Sequence, residues 1–294
     1  IPDGGWFYQG STGNQSYGYL GGRRFPAPSG YSYITRIDFA NDTATTSPKG
    51  NLGSPKYDTA ATGNVDFGYW SGGNESSVID RLDFSNDTAN TVEKGNISST
   101  PASDVGRYGA SAFSSSSHGY FAGGRYPATY FSTVDRIDYS NDTATAAVKG
   151  SLSYSANSVV GLSPTPVPST VSQTVDKGAD GYVVAGALGP AFGYFGGGTK
   201  PPAYSTVDRV DFANDTATAS TKGSLNVNRY GHAATSNTSY GWFGGGGGPA
   251  AERGSVDRVD FANDTATASV RGGFSVPKYG SGAAGNTSYG YFAG

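Results

Sequence analysis

A sixteen-residue segment recurs five times in this 294-residue chain, as TRIDFANDTATTSPKG, DRLDFSNDTANTVEKG, DRIDYSNDTATAAVKG, DRVDFANDTATASTKG and DRVDFANDTATASVRG. Its asparagines, Asn41, Asn86, Asn141, Asn214 and Asn263, lie 45, 55, 73 and 49 residues apart. No other feature limits the fold as strongly. A unit of about 45 to 50 residues is one supersecondary element that cannot bury its own faces and must stack on copies of itself.

Each unit reads as four short extended segments separated by Gly, Asn and Asp. The first starts at an aromatic, as at Tyr57, Tyr108, Tyr230 and Tyr279, and continues in small residues that suit a strand crowded against a central axis. The second is an aromatic run ending in glycines: GYLGG, GYWSGG, GYFAGG, GYFGGG and GWFGGG. Its rings fit between neighbouring sheets, and its glycines let the chain turn where a side chain would collide. In the third, Asp135, Ile137 and Tyr139 share one face while Arg136 and Asp138 share the other. The fourth is rich in Thr, Ala and Val and ends in Lys-Gly. No segment carries a 3.6-residue apolar stripe, so very little helix is expected. The unit length and the four strands predict an all-β fold, a propeller of four-stranded blades.

The motif Arg229-Tyr230-Gly231-His232-Ala233-Ala234, then GWFGGG, then the alternating Val256 to Phe261 resembles the kelch-type β-propeller repeat. The resemblance spans nearly the whole chain. It departs from the kelch pattern where Ala or Asn follows the NDT turn in place of a Trp at the start of the fourth strand. A single domain over 1–294 is expected, with blades near 6–53, 57–98, 108–152, 182–225 and 230–274 and a partial blade at 279–294. The stretch 154–181 is left as an excursion or a collapsed blade, so six blade positions are expected and seven is the alternative. The last blade stops after its second strand, and an open sheet edge is normally avoided. The missing strands are therefore expected from further chain beyond Gly294 or before Ile1, or from a neighbouring subunit.

The chain has no Cys and no Met, which removes disulfides, thiolate catalysis and zinc–thiolate sites. Copper radical chemistry of the galactose-oxidase kind, also carried on a kelch-like propeller, needs a cysteine cross-linked to tyrosine and is excluded. A net charge of −3 does not suit a general nucleic-acid binder, and no apolar run is long enough for membrane insertion. Most aspartates, and the arginines Arg36, Arg81, Arg136, Arg209 and Arg258, are copied with the repeat. A group present in every blade reads as scaffold, through Arg–Asp pairing between strands or blades and Asx turns at Asn-Asp; a repeated metal site is the sharper alternative. Outside the repeat only a few carboxylates remain, with His118 and His232. That is thin material for a glycosidase pair or a hydrolytic triad. No catalytic residue, cofactor or metal site is expected.

Two groups of residues remain as candidates. Asn-x-Ser/Thr sequons stand at Asn14, Asn41, Asn74, Asn86, Asn96, Asn141, Asn214, Asn237, Asn263 and Asn286. They are glycan acceptors in a eukaryotic secretory protein and plain turn residues in a bacterial or viral one. The loops between second and third strands break the symmetry and should crowd one rim. They carry Arg23, Arg24, Phe25, Tyr31, Tyr33, Arg125, Tyr126, Tyr130, Phe131, Lys200, Tyr204 and Arg253, a composition suited to recognising proteins or anionic glycans. The bland alternative is that these loops only pack on one another.

The near-perfect copying of GYFGGG, STVDRIDYSNDTATA and KG resembles repeat proteins of marine bacteriophages, cyanophages in particular. That resemblance implies a virion appendage, a tail fibre or decoration protein. The expected function is thus a non-enzymatic structural or interaction module, extracellular or on a virion. Its expected partners are other subunits of a symmetric assembly and a host glycan or protein. The alternatives are a secreted, glycosylated fibril-forming or glycan-binding protein and, with less support from the carboxylates, a propeller enzyme acting on carbohydrate.

Overall fold

The computed structural model describes residues 9–23, 30–73, 76–98, 106–163, 191–248, 251–286 and 288–293. Among them the only helical backbone is four 3-10 turns, at Phe84–Asn86, Tyr139–Asn141, Phe212–Asn214 and Phe261–Asn263. All sheets are antiparallel. The first blade is β1 (Gly10–Gly13), β2 (Tyr17–Arg23), β3 (Tyr31–Asp38) and β4 (Ser47–Lys56). The second is β5 (Ala60–Gly63), β6 (Phe67–Ser71), β7 (Val78–Asp83) and β8 (Val92–Asn96). The third is β9 (Tyr108–Ser114), β10 (His118–Tyr126), β12 (Thr133–Asp138) and β13 (Ala147–Ser151), with the short β11 (Thr129–Tyr130) hairpinned onto the end of β10. The fourth is β14 (Val160–Leu162), β15 (Phe192–Gly196), β16 (Val207–Asp211) and β17 (Ser220–Thr221). The fifth is β18 (Ala233–Ser236), β19 (Tyr240–Gly244), β20 (Ser255–Asp260) and β21 (Ser269–Gly273). A two-stranded sheet, β22 (Gly282–Gly285) and β23 (Gly290–Ala293), completes the order.

The innermost strands β1, β5, β9, β14, β18 and β22 neighbour one another in that sequence, and β22 returns against β1. Five four-stranded blades thus stand in a propeller ring, with the two-stranded sheet between the fifth and the first. The small residues of the first strands are what crowding at the axis demands: Ala60, Ala110, Ala233 and Ala283 are all buried. The glycine at the second position of the second strand answers a different crowding, since a Cβ on Gly193 would fall 2.2 Å from the Phe113 ring of the preceding blade.

Among the described residues the core is not one mass but four clusters, one in each seam between consecutive four-stranded blades. Each seam follows one pattern. In the first, Tyr19, Ile34 and Leu52 of one blade meet Trp70 and Leu82 of the next. The Tyr19 ring stacks on Phe84 at 4.7 Å, and its hydroxyl donates to Asp87 at 2.9 Å. Arg36 and Lys49 close on the same carboxylate at 2.7 and 3.1 Å. The Gly50 N–H donates to the Asp87 carbonyl at 2.9 Å, so the fourth strand of one blade is clamped to the turn of the next. A Cβ on Gly50 would lie 1.8 Å from the Ala89 carbonyl oxygen, which is why the Lys is followed by Gly.

The same set recurs with Tyr69, Arg81 and Lys94 on Asp142, with Tyr120, Arg136 and Lys149 on Asp215, and with Tyr194, Arg209 and Lys222 on Asp264. Arg–Asp pairing between blades, one of the two scaffold roles expected of the repeat, is therefore how the seams are locked. The expected Asx turn sits differently. The aspartate before the aromatic caps the 3-10 turn, with Asp83 Oδ1 accepting from Ser85 N–H at 2.8 Å, while the aspartate of NDT turns into the seam.

The fourth blade departs from the sequence expectation. Its innermost strand is β14, at Val160–Leu162, and not a strand starting at Tyr182. Residues 164–190, which include Tyr182, lie outside the described residues. The SANSVVG stretch is thus part of a blade, and the extra length sits inside the connection from β14 to β15. Spacing to the glycine run misplaced the strand because spacing cannot tell an insertion before a hairpin from one within it.

Candidate functional site

Up-and-down blades alternate their connections between the two faces of a ring. Loops joining second to third strands open on one face together with the links between blades. Turns joining first to second and third to fourth strands open on the other.

On the loop face, Arg23 at the end of β2 lies 4.6 Å over the Tyr31 ring, which stacks on Tyr33 at 5.4 Å. Tyr33 is 51% exposed. In the third blade Arg125 lies 4.7 Å over Tyr108, whose hydroxyl donates to the Pro127 carbonyl at 3.1 Å. Arg125 pairs with Tyr130 and Tyr126 with Thr129 in the β10–β11 hairpin. Phe131 faces the Arg107 guanidinium at 5.9 Å. In the fourth blade Lys200 donates to Ser155 Oγ at 3.3 Å, and Tyr204 packs on Tyr154 at 5.0 Å. Tyr154 is anchored to the Gly197 carbonyl at 2.7 Å, and burial pushes its phenol above the ordinary range. Arg253 of the fifth blade folds back along Gly248, with its N–H on the Gly246 carbonyl at 2.7 Å. Arg24 and Phe25 lie outside the described residues.

The loop residues therefore gather within blades rather than in one merged cluster, with arginine–tyrosine stacks in the first and third blades and a tyrosine pair in the fourth. Tyr108 and Tyr154, absent from the sequence-based set, supply the rings beneath the loops. Their signal was position, since each stands where the chain enters a blade on the loop face. A guanidinium stacked on an aromatic ring is a group that recognises carboxylates, sulfates and sugar hydroxyls.

The opposite face carries most of the sequons. Asn41, Asn86, Asn141, Asn214 and Asn263 are exposed in the third-to-fourth turns. Asn14, Asn237 and Asn286 sit half-buried in first-to-second turns, their Oδ1 accepting backbone N–H groups two and three residues on. Asn96 is exposed on β8, at the outer edge of its blade. Asn74 lies outside the described residues.

The buried carboxylates of the third strands are occupied structurally. Asp80 pairs with Lys56 at 2.6 Å, Asp257 with Arg229 at 3.1 Å, and Asp135 with Arg107, all of them buried. In the fourth blade Ala156 stands where those blades have a cation, and Asp208 instead accepts from Ser153 N–H, Ser153 Oγ and Thr221 Oγ1. Burial raises the Asp208 carboxyl against those hydrogen bonds. His232 is buried against Phe243, and desolvation, with Arg229 nearby, holds it well below the ordinary imidazole value. His118 ends a hairpin beside Ser117. An axial cavity of about 330 Å³, lined by residues such as Thr12, Thr62, Phe113, Ser163 and Ser236, has no titratable side chain among the described residues of its wall. Among the described residues no three His, Cys, Asp or Glu stand together as metal ligands.

No protein-family model matches the chain, and no curated protein sequence matches it. The propeller assignment rests on the order and closure of the inner strands and on the repeated seam.

Proposed function

We propose that this protein is a non-enzymatic recognition and assembly module, displayed outside a cell or on a virion as part of a fibre or decoration. Its loop face engages a host-surface protein or an anionic glycan. The observation that carries this reading is the contrast between repeated carboxylates and unrepeated loops. The aspartates of the repeat are spent inside seams, in buried ion pairs and in turn caps, whereas the arginine–tyrosine stacks differ from blade to blade on one face. A rigid ring holding dissimilar aromatic and cationic loops is the arrangement recognition scaffolds use. The finer blade count belongs to the same reading: the two-stranded sheet is the inner half of a sixth blade position, since Tyr291 stacks on Phe39 at 5.2 Å and donates to Asp42 at 2.8 Å as its counterparts do in other seams.

Binding of the labelled protein to host cells and to a sulfated polysaccharide tests the reading. A variant carrying Arg23→Ala, Tyr33→Ala, Arg125→Ala and Tyr126→Ala, with its melting temperature unchanged, is expected to lose at least about tenfold in affinity for one of them. Unchanged binding to both, or no binding by the parent protein, contradicts it. The secreted glycoprotein reading is favoured if the intact mass exceeds the sequence mass of 30.1 kDa by whole glycans.

A further inference from the structure

The outer flank of the fifth blade repeats the donor side of every other seam, and among the described residues only the two-stranded sheet reaches it, at its inner part, where Phe292 meets Phe274 at 5.1 Å. Tyr19, Tyr69, Tyr120 and Tyr194 are buried to 1% or less and stack on an aromatic of the next blade, while Trp242 at the same place in β19 is only half-buried and, among the described residues, keeps just the ring contact with Tyr240 of its own strand. Ile34, Ile79, Val134 and Val207 are equally buried, yet Val256 is not. Arg36, Arg81, Arg136 and Arg209 each hold an aspartate of the next blade, whereas Arg258, stacked 4.1 Å over Tyr240 much as Arg36, Arg81 and Arg209 are stacked over their own rings, makes no ion pair among the described residues. A Cβ on Gly50, Gly95, Gly150 or Gly223 would strike an alanine carbonyl within 1.9 Å; one on Gly272 would meet nothing within 4 Å. Across the gap, Asp42 of the first blade receives Tyr291 but no Arg or Lys among the described residues. Beside Trp242 a groove of about 180 Å³ runs to Tyr289 and Phe292 of the two-stranded sheet.

We propose that this wedge is a docking site for one polypeptide segment, a strand–turn–strand bearing the repeat's aromatic-x-Asn-Asp turn. The complement is specific at each position. The incoming aromatic stacks on Trp242, and its turn aspartate meets Arg258 and Arg271. The Gly272 N–H reaches the aspartate carbonyl, and the segment's own Arg answers Asp42. Its first strand extends the free edge of β23 by backbone hydrogen bonds, the mode in which an extended peptide adds to a sheet. The described residues of a second copy cannot supply the segment, because the turns bearing Asp87, Asp142, Asp215 and Asp264 are already seated in seams and that bearing Asp42 is held by Tyr291. The proposal is independent of what the loop face binds.

A fluorescently labelled peptide with the sequence of residues 205–223 is the probe, titrated with the whole protein and read by anisotropy. Saturable 1:1 binding is expected. The peptide with Asp215→Asn is expected to bind at least about tenfold more weakly, as is the parent peptide to Arg258→Ala or to Arg271→Glu protein, each checked for an unchanged melting temperature. Absence of binding overturns the proposal, as does equal binding of a scrambled or Asn-bearing peptide. So does self-association of the protein alone that Arg258→Ala abolishes, which assigns the face to a second copy.

Discussion

On one side of the fifth blade, Phe243 and Val259 are buried to 2% or less against Tyr194, Val207 and Leu225 of the fourth. On its other side Trp242, Val256 and Phe274 are half-buried, with Phe292 at 5.1 Å from Phe274. Both flanks come from the same repeat, so the difference lies in what faces them. A blade is complete in hydrogen bonds along its own strands but not in burial. Its Tyr, its branched aliphatic and its Arg become structural only when the next blade's turn brings an aromatic ring, a carboxylate and a carbonyl to meet them. Stability in this ring is thus a property of seams more than of blades.

The sharpest way to break that comparison is to truncate the same position on both flanks. Tyr194→Ala removes a ring that is stacked, hydrogen-bonded and buried to 1%, and is expected to cost about 3 to 5 kcal/mol in denaturant unfolding. Trp242→Ala, although it deletes more atoms, is expected to cost about 1 kcal/mol. Equal losses would mean that the flank is covered in solution.

The ionic half of the seam scales down in the same order. Asp264→Ala strips Tyr194, Arg209 and Lys222 of one shared acceptor and is expected to cost about 3 kcal/mol. Arg258→Ala, with no carboxylate to lose, should stay within about 0.5 kcal/mol. A double cycle of Arg209→Ala with Asp264→Ala should show coupling, and one of Arg258→Ala with Asp264→Ala none.

A smaller effect is expected in acid. Burial pushes the Asp87 carboxyl up, but hydrogen bonds from Tyr19, Lys49 and Arg36 outweigh it and hold the group below its ordinary value of 3.8. A depressed folded-state value means stability that is present above the unfolded value and lost as pH falls through the folded one. Unfolding free energy should therefore decline below about pH 4, and Asp87→Asn should flatten that decline while lowering stability at neutral pH. A decline of unchanged steepness in the variant would remove Asp87 from the account of acid sensitivity.

Much of this was legible in the chain because the signals were periodic. The alternation of Asp135, Ile137 and Tyr139 against Arg136 and Asp138 separated the two faces of a third strand, and the glycine pair of the second strand marked a backbone irregularity such as Gly123–Gly124, with φ of +69° and +94°. Pairing of repeat Arg with repeat Asp was inferable from charge alone. Its partner choice was not, since only the ring shows that Arg36 reaches Asp87 of the next blade rather than a carboxylate of its own. The fourth blade misled for a related reason: β14, three residues long, has no aromatic start, and Ala156 replaces the basic residue that precedes the first strand elsewhere. The loop residues were found as a composition, but their arrangement depended on Tyr108 and Tyr154, which belong to the blade links rather than to the loops.

Amide hydrogen exchange of the intact chain, resolved by residue, tests the central contrast most directly. The N–H groups of Gly50, Gly95, Gly150 and Gly223 donate to the carbonyls of Asp87, Asp142, Asp215 and Asp264 at 2.7 to 2.9 Å, and all four should be protected to nearly the global unfolding free energy. The Gly272 N–H, at the same place on the open flank, should exchange at close to the rate of an unstructured peptide. Protection of Gly272 equal to that of the other four in the chain alone would contradict an open seam, and rapid exchange at all five would contradict the clamped ones.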